Sequence, residues 1–246
     1  MSLAPHLTEI VFALGAGDRL VGVSEASDFP PEARRLPRVG GVAPDLELIV
    51  SLSPDLVLAS REDNPAGALA SLSRLGVPVL TTETPDLPAI AGNVRSIGER
   101  LGAGDRGRKL ARDLERRLAL VRPPPGRHLS AVILVWADPP QAAGRGTFAD
   151  DLLRRAGASN IVTRPGWPVV SAEFLVSADC DAVIFPEQPE TRAAFERAFQ
   201  SGAISGMNAV RAGRTIGIDA DLLARPGPRA FDALERLARR LAGLPR

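Results

Sequence analysis

The sequence predicts an α/β chain of two Rossmann-like lobes, each built on a parallel sheet and joined by one long helix. Three observations predict it. Short apolar runs alternate with segments of helical period, the pattern of parallel sheets with crossover helices. Residues 47–60 (ELIVSLSPDLVLAS) return as residues 173–185 (EFLVSADCDAVIF) at a constant offset of 126 positions: Glu47 meets Glu173, Val50 meets Val176, Ser51 meets Ser177, Asp55 meets Asp181 and Val57 meets Val183. Between the copies, Leu110, Leu114, Leu118 and Val121 mark one face of a helix. At 246 residues the chain is long for one domain and suits two small ones.

In chain order, LTEIVFALGAG places Leu7, Ile10, Val11 and Leu14 on one helical face and stops at the glycines 15 and 17. RLVGVS is expected as a short buried strand. DLELIVSLSP is a helix entered at Asp45 and ended by Pro54, followed by the strand DLVLAS. NPAGALASLSRLG is a helix closed by Gly76, and VPVLTT a strand. The connecting helix runs from near Asp105 to the break Pro123-Pro124-Pro125-Gly126. Beyond it come the strand LSAVILVW, the helix TFADDLLRRAGA, the strand NIVT, the helix SAEFLVSAD, the strand DAVIF, the helix ETRAAFERAFQ and the strand RTIGID. The expected lobes are residues 1–100 and 126–246, with residues 101–125 as connector. The first lobe lacks a counterpart of LSAVILVW, so a strand and a leader are expected upstream of Met1.

Composition narrows the function. Thirty basic residues against 29 acidic ones leave a net charge of +1, without the basic excess of a nucleic-acid binder. Lys109 is the only lysine, there is no tyrosine, and Cys180 stands alone, so no intrachain disulfide can form. No run approaches the roughly 18 apolar residues of a membrane span, and MSLAPHLTEI lacks the regions of a signal peptide. Catalytic motifs are missing. LGAGDRLVG and AAGRGTFADD give no full G-x-G-x-x-G, the phosphate-binding G-x-x-x-x-G-K-[ST] is absent, and no serine sits in G-x-S-x-G. His6, His128 and Cys180 are too few for a transition-metal set.

Some residue types point to binding. Trp167, held between Gly166 and Pro168, is a poor core candidate and a good flat platform for a planar ligand. Trp136, at the end of its strand, suits core and cleft wall equally. His6 falls where the first helix should have its N-cap, with Glu9 three residues on as in a capping box. Glu47 and Glu173 stand in the first turns of their helices, where the macrodipole alone favours an acid by roughly 0.3–1 kcal/mol.

The segments SLAPHLTEIVFALGAGDRLVGVS, SDFPPEA, LPRVGG, DLELIVSLSPDLVLA, GWPVVSAEFL and RPGPR resemble, in order and over essentially the whole chain, the class III (helical-backbone) periplasmic binding proteins of ABC importers. The resemblance implies an extracytoplasmic monomer that holds a small ligand in a cleft between its lobes and performs no catalysis. It implies cobalamin or a related corrinoid as the transported ligand, with no intrinsic cofactor; a ferric siderophore or haem is the alternative. It places Trp167 in the cleft, with Asp221 and Arg225 at the ligand's polar periphery, Arg229 close by and Trp136 and His6 as further contacts. One glutamate per lobe, Glu47 and Glu173, docks onto arginine pockets of the permease dimer. Positions that hold cleft aromatics in cobalamin carriers read here as Ala26, Gly41 and Ser60.

Overall fold

The computed structural model describes residues 1–122, 128–202 and 204–245. The chain divides into two compact units, Met1–Thr84 with Pro88–Arg116, and Pro85–Leu87 with Arg117–Arg246.

In the first unit α1 (Pro5–Ala13) opens with Pro5 at its first position, where a missing N–H costs nothing. Its N-cap is Ala4, so His6 lies inside the first turn rather than capping it. The capping-box pattern of His6 and Glu9 yields here to the stronger start signal of Pro5. The expected strand RLVGVS shrinks to one bridged residue, Val23. Ser2 pairs in parallel with Val23 on one side and Leu58 on the other. Ser2 therefore occupies, in the first unit, the sheet position for which the sequence showed no counterpart. Beyond come α2 (Leu46–Ser51), β1 (Val57–Ser60), α3 (Ala66–Arg74) and β2 (Val79–Thr82), with β1 and β2 parallel in the register Val57 to Val79. The core joins Met1, Leu3, Val39, Ile49, Val57, Ala59 and Leu72, the inward faces of these elements.

Two long helices follow, α4 (Leu87–Arg100) and α5 (Gly104–Leu120). The first was not expected from sequence. Its glycines serve close approach: a Cβ on Gly98 would lie 3.0 Å from the Gly107 Cα. The 17 residues of α5 carry the chain from one unit to the other, a span of about 25 Å at 1.5 Å per residue. The break expected at residues 123–126 lies outside the described residues. In the second unit Arg117 donates to Glu235 (2.7 Å) and Asp232 (2.5 Å), and its guanidinium lies 5.8 Å from the centre of the Phe231 ring. The hydrogen bond to Glu235 is the main cause that holds Arg117 charged.

The second unit repeats the first. It contains β3 (Leu129–Ala137), β4 (Pro140–Ala142), α6 (Phe148–Ala156), β5 (Ala158–Asn160), α7 (Ala172–Ser177), β6 (Ala182–Pro186), α8 (Pro189–Ser201), α9 (Asn208–Arg211), β7 (Thr215–Ile218), α10 (Ala220–Ala224) and α11 (Ala230–Ala242). β3 pairs in parallel with β5 and β6, and β6 with β7. This is the arrangement of Val23, Ser2, β1 and β2. The strand expected at NIVT begins earlier, because Gly157 ends α6 in the left-handed region (φ 103°) and the chain pairs with β3 at once.

Candidate ligand-binding site

In the second unit the crossover from β3 leads to β5 on one side, whereas that from β6 leads to β7 on the other. The point of divergence lies at the carboxyl ends of β3 and β6, where open α/β sheets receive ligands. Trp136 is the penultimate residue of β3 and is 57% exposed, so the ring belongs to the surface and not to the core. Its Nε1 donates to the Asp138 carbonyl (2.9 Å), which fixes the ring. Beside it lies a cavity of about 540 Å³, walled by Ala194, Arg197 and Ala198 of α8.

Trp136 is the register partner of Gln141 on β4, and Gln141 in turn bridges Val169 in antiparallel fashion. Opposed residues of an antiparallel pair share a face, so Trp136, Gln141 and Val169 lie side by side. Gln141 Nε2 also donates to the Trp167 carbonyl at 2.9 Å. Trp167 (46%) and Val169 (55%) are both exposed. The loop carrying them is pinned: Gly144 N donates to Gly166 O (2.8 Å) and Arg145 N to Arg164 O (2.9 Å). Only glycine fits at 144, since a Cβ would fall 2.0 Å from the Arg164 carbonyl oxygen. Neither Gln141 nor Val169 stood out in the sequence; the D-P-P turn after LSAVILVW was the signal for the hairpin that places them.

At the end of β7, the Asp219 side chain caps α10 by accepting from Asp221 N (2.9 Å). Asp221 and Arg225 then face each other across one helical turn, with Nη2 to Oδ1 at 2.9 Å and side chains 24% and 14% exposed. Gln188, just beyond β6, reaches the same Asp221 oxygen at 3.5 Å. The pair thus offers a fork of donors and an acceptor at the strand ends. Arg229 is the N-cap residue of α11.

In the first unit His6 sits at the corresponding position, immediately after the strand residue Ser2. It is 1% exposed, with Nδ1 3.5 Å from Asp63 Oδ2. It lies beneath the surface, supporting the loop after β1. Ser60 is also buried, and its Oγ donates to Glu62 Oε2 at 2.9 Å. Ala26 and Gly41 are exposed, and a Cβ on Gly41 would meet nothing within 4 Å.

Glu47 and Glu173 are exposed second residues of α2 and α7. Each helix is capped from the side chain before it, Asp45 accepting from Leu48 N (3.0 Å) and Ser171 from Phe174 N (3.1 Å). The caps satisfy the helix start without the glutamates.

Reactive chemistry is not assembled at these edges. Burial pushes the Cys180 thiol up to about 11, so it stays protonated and a poor nucleophile. Among the described residues no three His, Cys, Asp or Glu side chains converge as a metal site.

Comparison with known proteins agrees with this arrangement. The vitamin B12-binding protein of Vibrio cholerae serotype O1 is 31% identical over 242 residues, covering 96% of this chain and 86% of that protein. The crystal structure of the periplasmic vitamin B12 binding protein BtuF of Vibrio cholerae superposes with a TM-score of 0.84 at 30% identity, over 98% of this chain and 95% of that one. A periplasmic heme binding protein from Pseudomonas aeruginosa gives 0.85 at 31% identity, over 96% and 90% of the two chains. The model of the periplasmic binding protein family matches residues 1–222. With that match running through both units, the chain belongs to the periplasmic binding protein family.

Proposed function

We propose that this chain is an extracytoplasmic substrate-binding protein that captures cobalamin or a related corrinoid and delivers it, chemically unchanged, to an ABC importer. The observation that carries the proposal is the exposed strip Trp136–Gln141–Val169, tied to Trp167 through Gln141 at the strand ends of the second unit. Two indoles held from behind make a flat apolar platform, suited to a macrocycle too large to be enclosed. Asp221 and Arg225 supply an acceptor and donors for amide groups on its rim. His6 acts through Asp63 rather than by contact. The vitamin B12-binding relatives support the choice of ligand.

Haem is the second reading, supported by the haem-binding neighbour. Its iron takes an axial His, Cys, Met or Tyr. The chain has no tyrosine, and His6, Cys180, Met1 and Met207 are all buried. His128 is exposed, but it precedes β3 at the end opposite Trp136. The corrinoid therefore fits better.

Glu47 and Glu173 are proposed as the two permease contacts, one from each unit. Their duplication supports this, as does the adequacy of the caps without them. Calorimetric titration with cobalamin, haemin and a ferric siderophore tests the ligand assignment. The expected Kd for cobalamin is below about 1 µM, or beyond about −8 kcal/mol, with a red one-to-one complex. No heat and no coloured complex at about 100 µM, a hundredfold above that limit, would overturn it.

A further inference from the structure

The likeness of α2 and α7 goes beyond their glutamates. Each is a six-residue helix with a side-chain cap, a buried third-turn anchor and a serine that closes it. Ile49 and Leu175 are the anchors, both 0% exposed. Ser51 Oγ donates to Leu48 O (2.8 Å), and Ser177 Oγ to Phe174 O (3.1 Å). Even the residue after each helix agrees: Ser53 (φ 46°) and Asp179 (φ 43°) are the two non-glycine residues with positive φ among the described residues.

Most of the retained positions have structural work. The serines satisfy helix carbonyls, and Val57 and Val183 are buried in their strands. Two positions do not. Glu47 and Glu173 point to solvent without an ion pair among the described residues, and Val50 and Val176 are 41% and 40% exposed. The valines stand three residues after the glutamates, hence on the same helical face. A β-branched side chain is a mediocre helix former, and one exposed apolar residue needs no explanation. Two at equivalent positions, beside equivalent unpaired acids, with equal exposure in two otherwise diverged halves, do need one.

We infer that the docking element is a Glu–Val pair one helical turn deep, presented once by each unit. Its partner is the importer's membrane permease, whose two copies each offer a cationic pocket with an apolar rim. The inference rests on the proposed docking role of the glutamates and names what surrounds the charge. The acid selects the pocket, and the valine excludes water from the pair, as the near-neutral ring around an interface hot spot does. Charge steers arrival, whereas apolar closure lengthens residence.

The test measures binding of the full chain to the permease complex of the same importer in nanodiscs, at low and high salt. Compared with the parent are Val50→Ser/Val176→Ser, its isosteric counterpart Val50→Thr/Val176→Thr, and Glu47→Gln/Glu173→Gln. Both valine doubles should dock about tenfold more weakly, a hot-spot-sized loss, chiefly through faster dissociation. Their salt dependence should match the parent, with ligand affinity and Tm unchanged. The glutamate double should lose most binding and most of the salt dependence. Valine doubles within twofold of the parent, beside a failing glutamate double, would overturn this inference and leave the docking role standing. Parent-like binding by all three would overturn both.

Discussion

Trp167 keeps 46% of its surface in water and gives its carbonyl, not its ring, to the scaffold through Gln141. Removing the ring therefore costs the fold little. Trp167→Ala should weaken cobalamin binding by roughly 1–3 kcal/mol, the range for an aromatic anchor, while Tm moves by no more than a degree or two. Titration and a thermal melt on the same sample check this, and a large fall in Tm with unaltered affinity would refute it. Trp167 was legible in the sequence because Gly166 and Pro168 exclude it from any regular element. Trp136 was not: the last residues of a strand are core or surface according to what covers them, and a bulged hairpin leaves this one bare. His6 was misplaced as a cap because the hydroxyl-free start at Ala4 leaves no cap signature, and Pro5 alone marks the turn.

The first turn of α6 shows how one element is secured. Thr147 caps it by accepting from Asp150 N (3.2 Å). Asp151, 3% exposed, accepts from Leu87 N (3.0 Å), Arg154 (2.9 Å) and Arg155 (2.6 Å). Three donors converge on one carboxylate at a helix N-terminus, where negative charge is favoured. Asp151→Ala would strand the buried Leu87 N–H and remove that charge, a loss of about 2–3 kcal/mol. Urea unfolding should show a lower midpoint at unchanged slope; an unmoved midpoint would mean that water replaces the carboxylate. Helices with caps and terminal glycines, such as α2, α3, α6 and α7, were legible in advance. α4 was not, because Pro88, Gly92 and Gly98 look like breakers. Pro88 falls in the first turn, where proline is tolerated, and Gly98 is small to admit Gly107.

Across the whole molecule each unit owns a sheet and a core, and α5 is the long helix through which the chain passes between them. Two cores imply two cooperative groups of amides. In native-state hydrogen exchange, Asp151→Ala should speed opening of β3, β6 and β7, which belong to its own unit, and leave β1 and β2 near the parent. Uniform acceleration through both units would show a single cooperative block instead. The α/β class and the two-fold repetition were plain from alternation and from the offset of 126 residues. The bridge at Ser2 was invisible, because one paired residue has no period to detect. The left-handed residues after α2 and α7 give the chain an internal reference. Ser53 and Asp179 hold the same backbone with different side chains. A single substitution made at both sites is thus measured twice in one molecule, and subtracting the two results cancels the backbone contribution and isolates that of the surroundings.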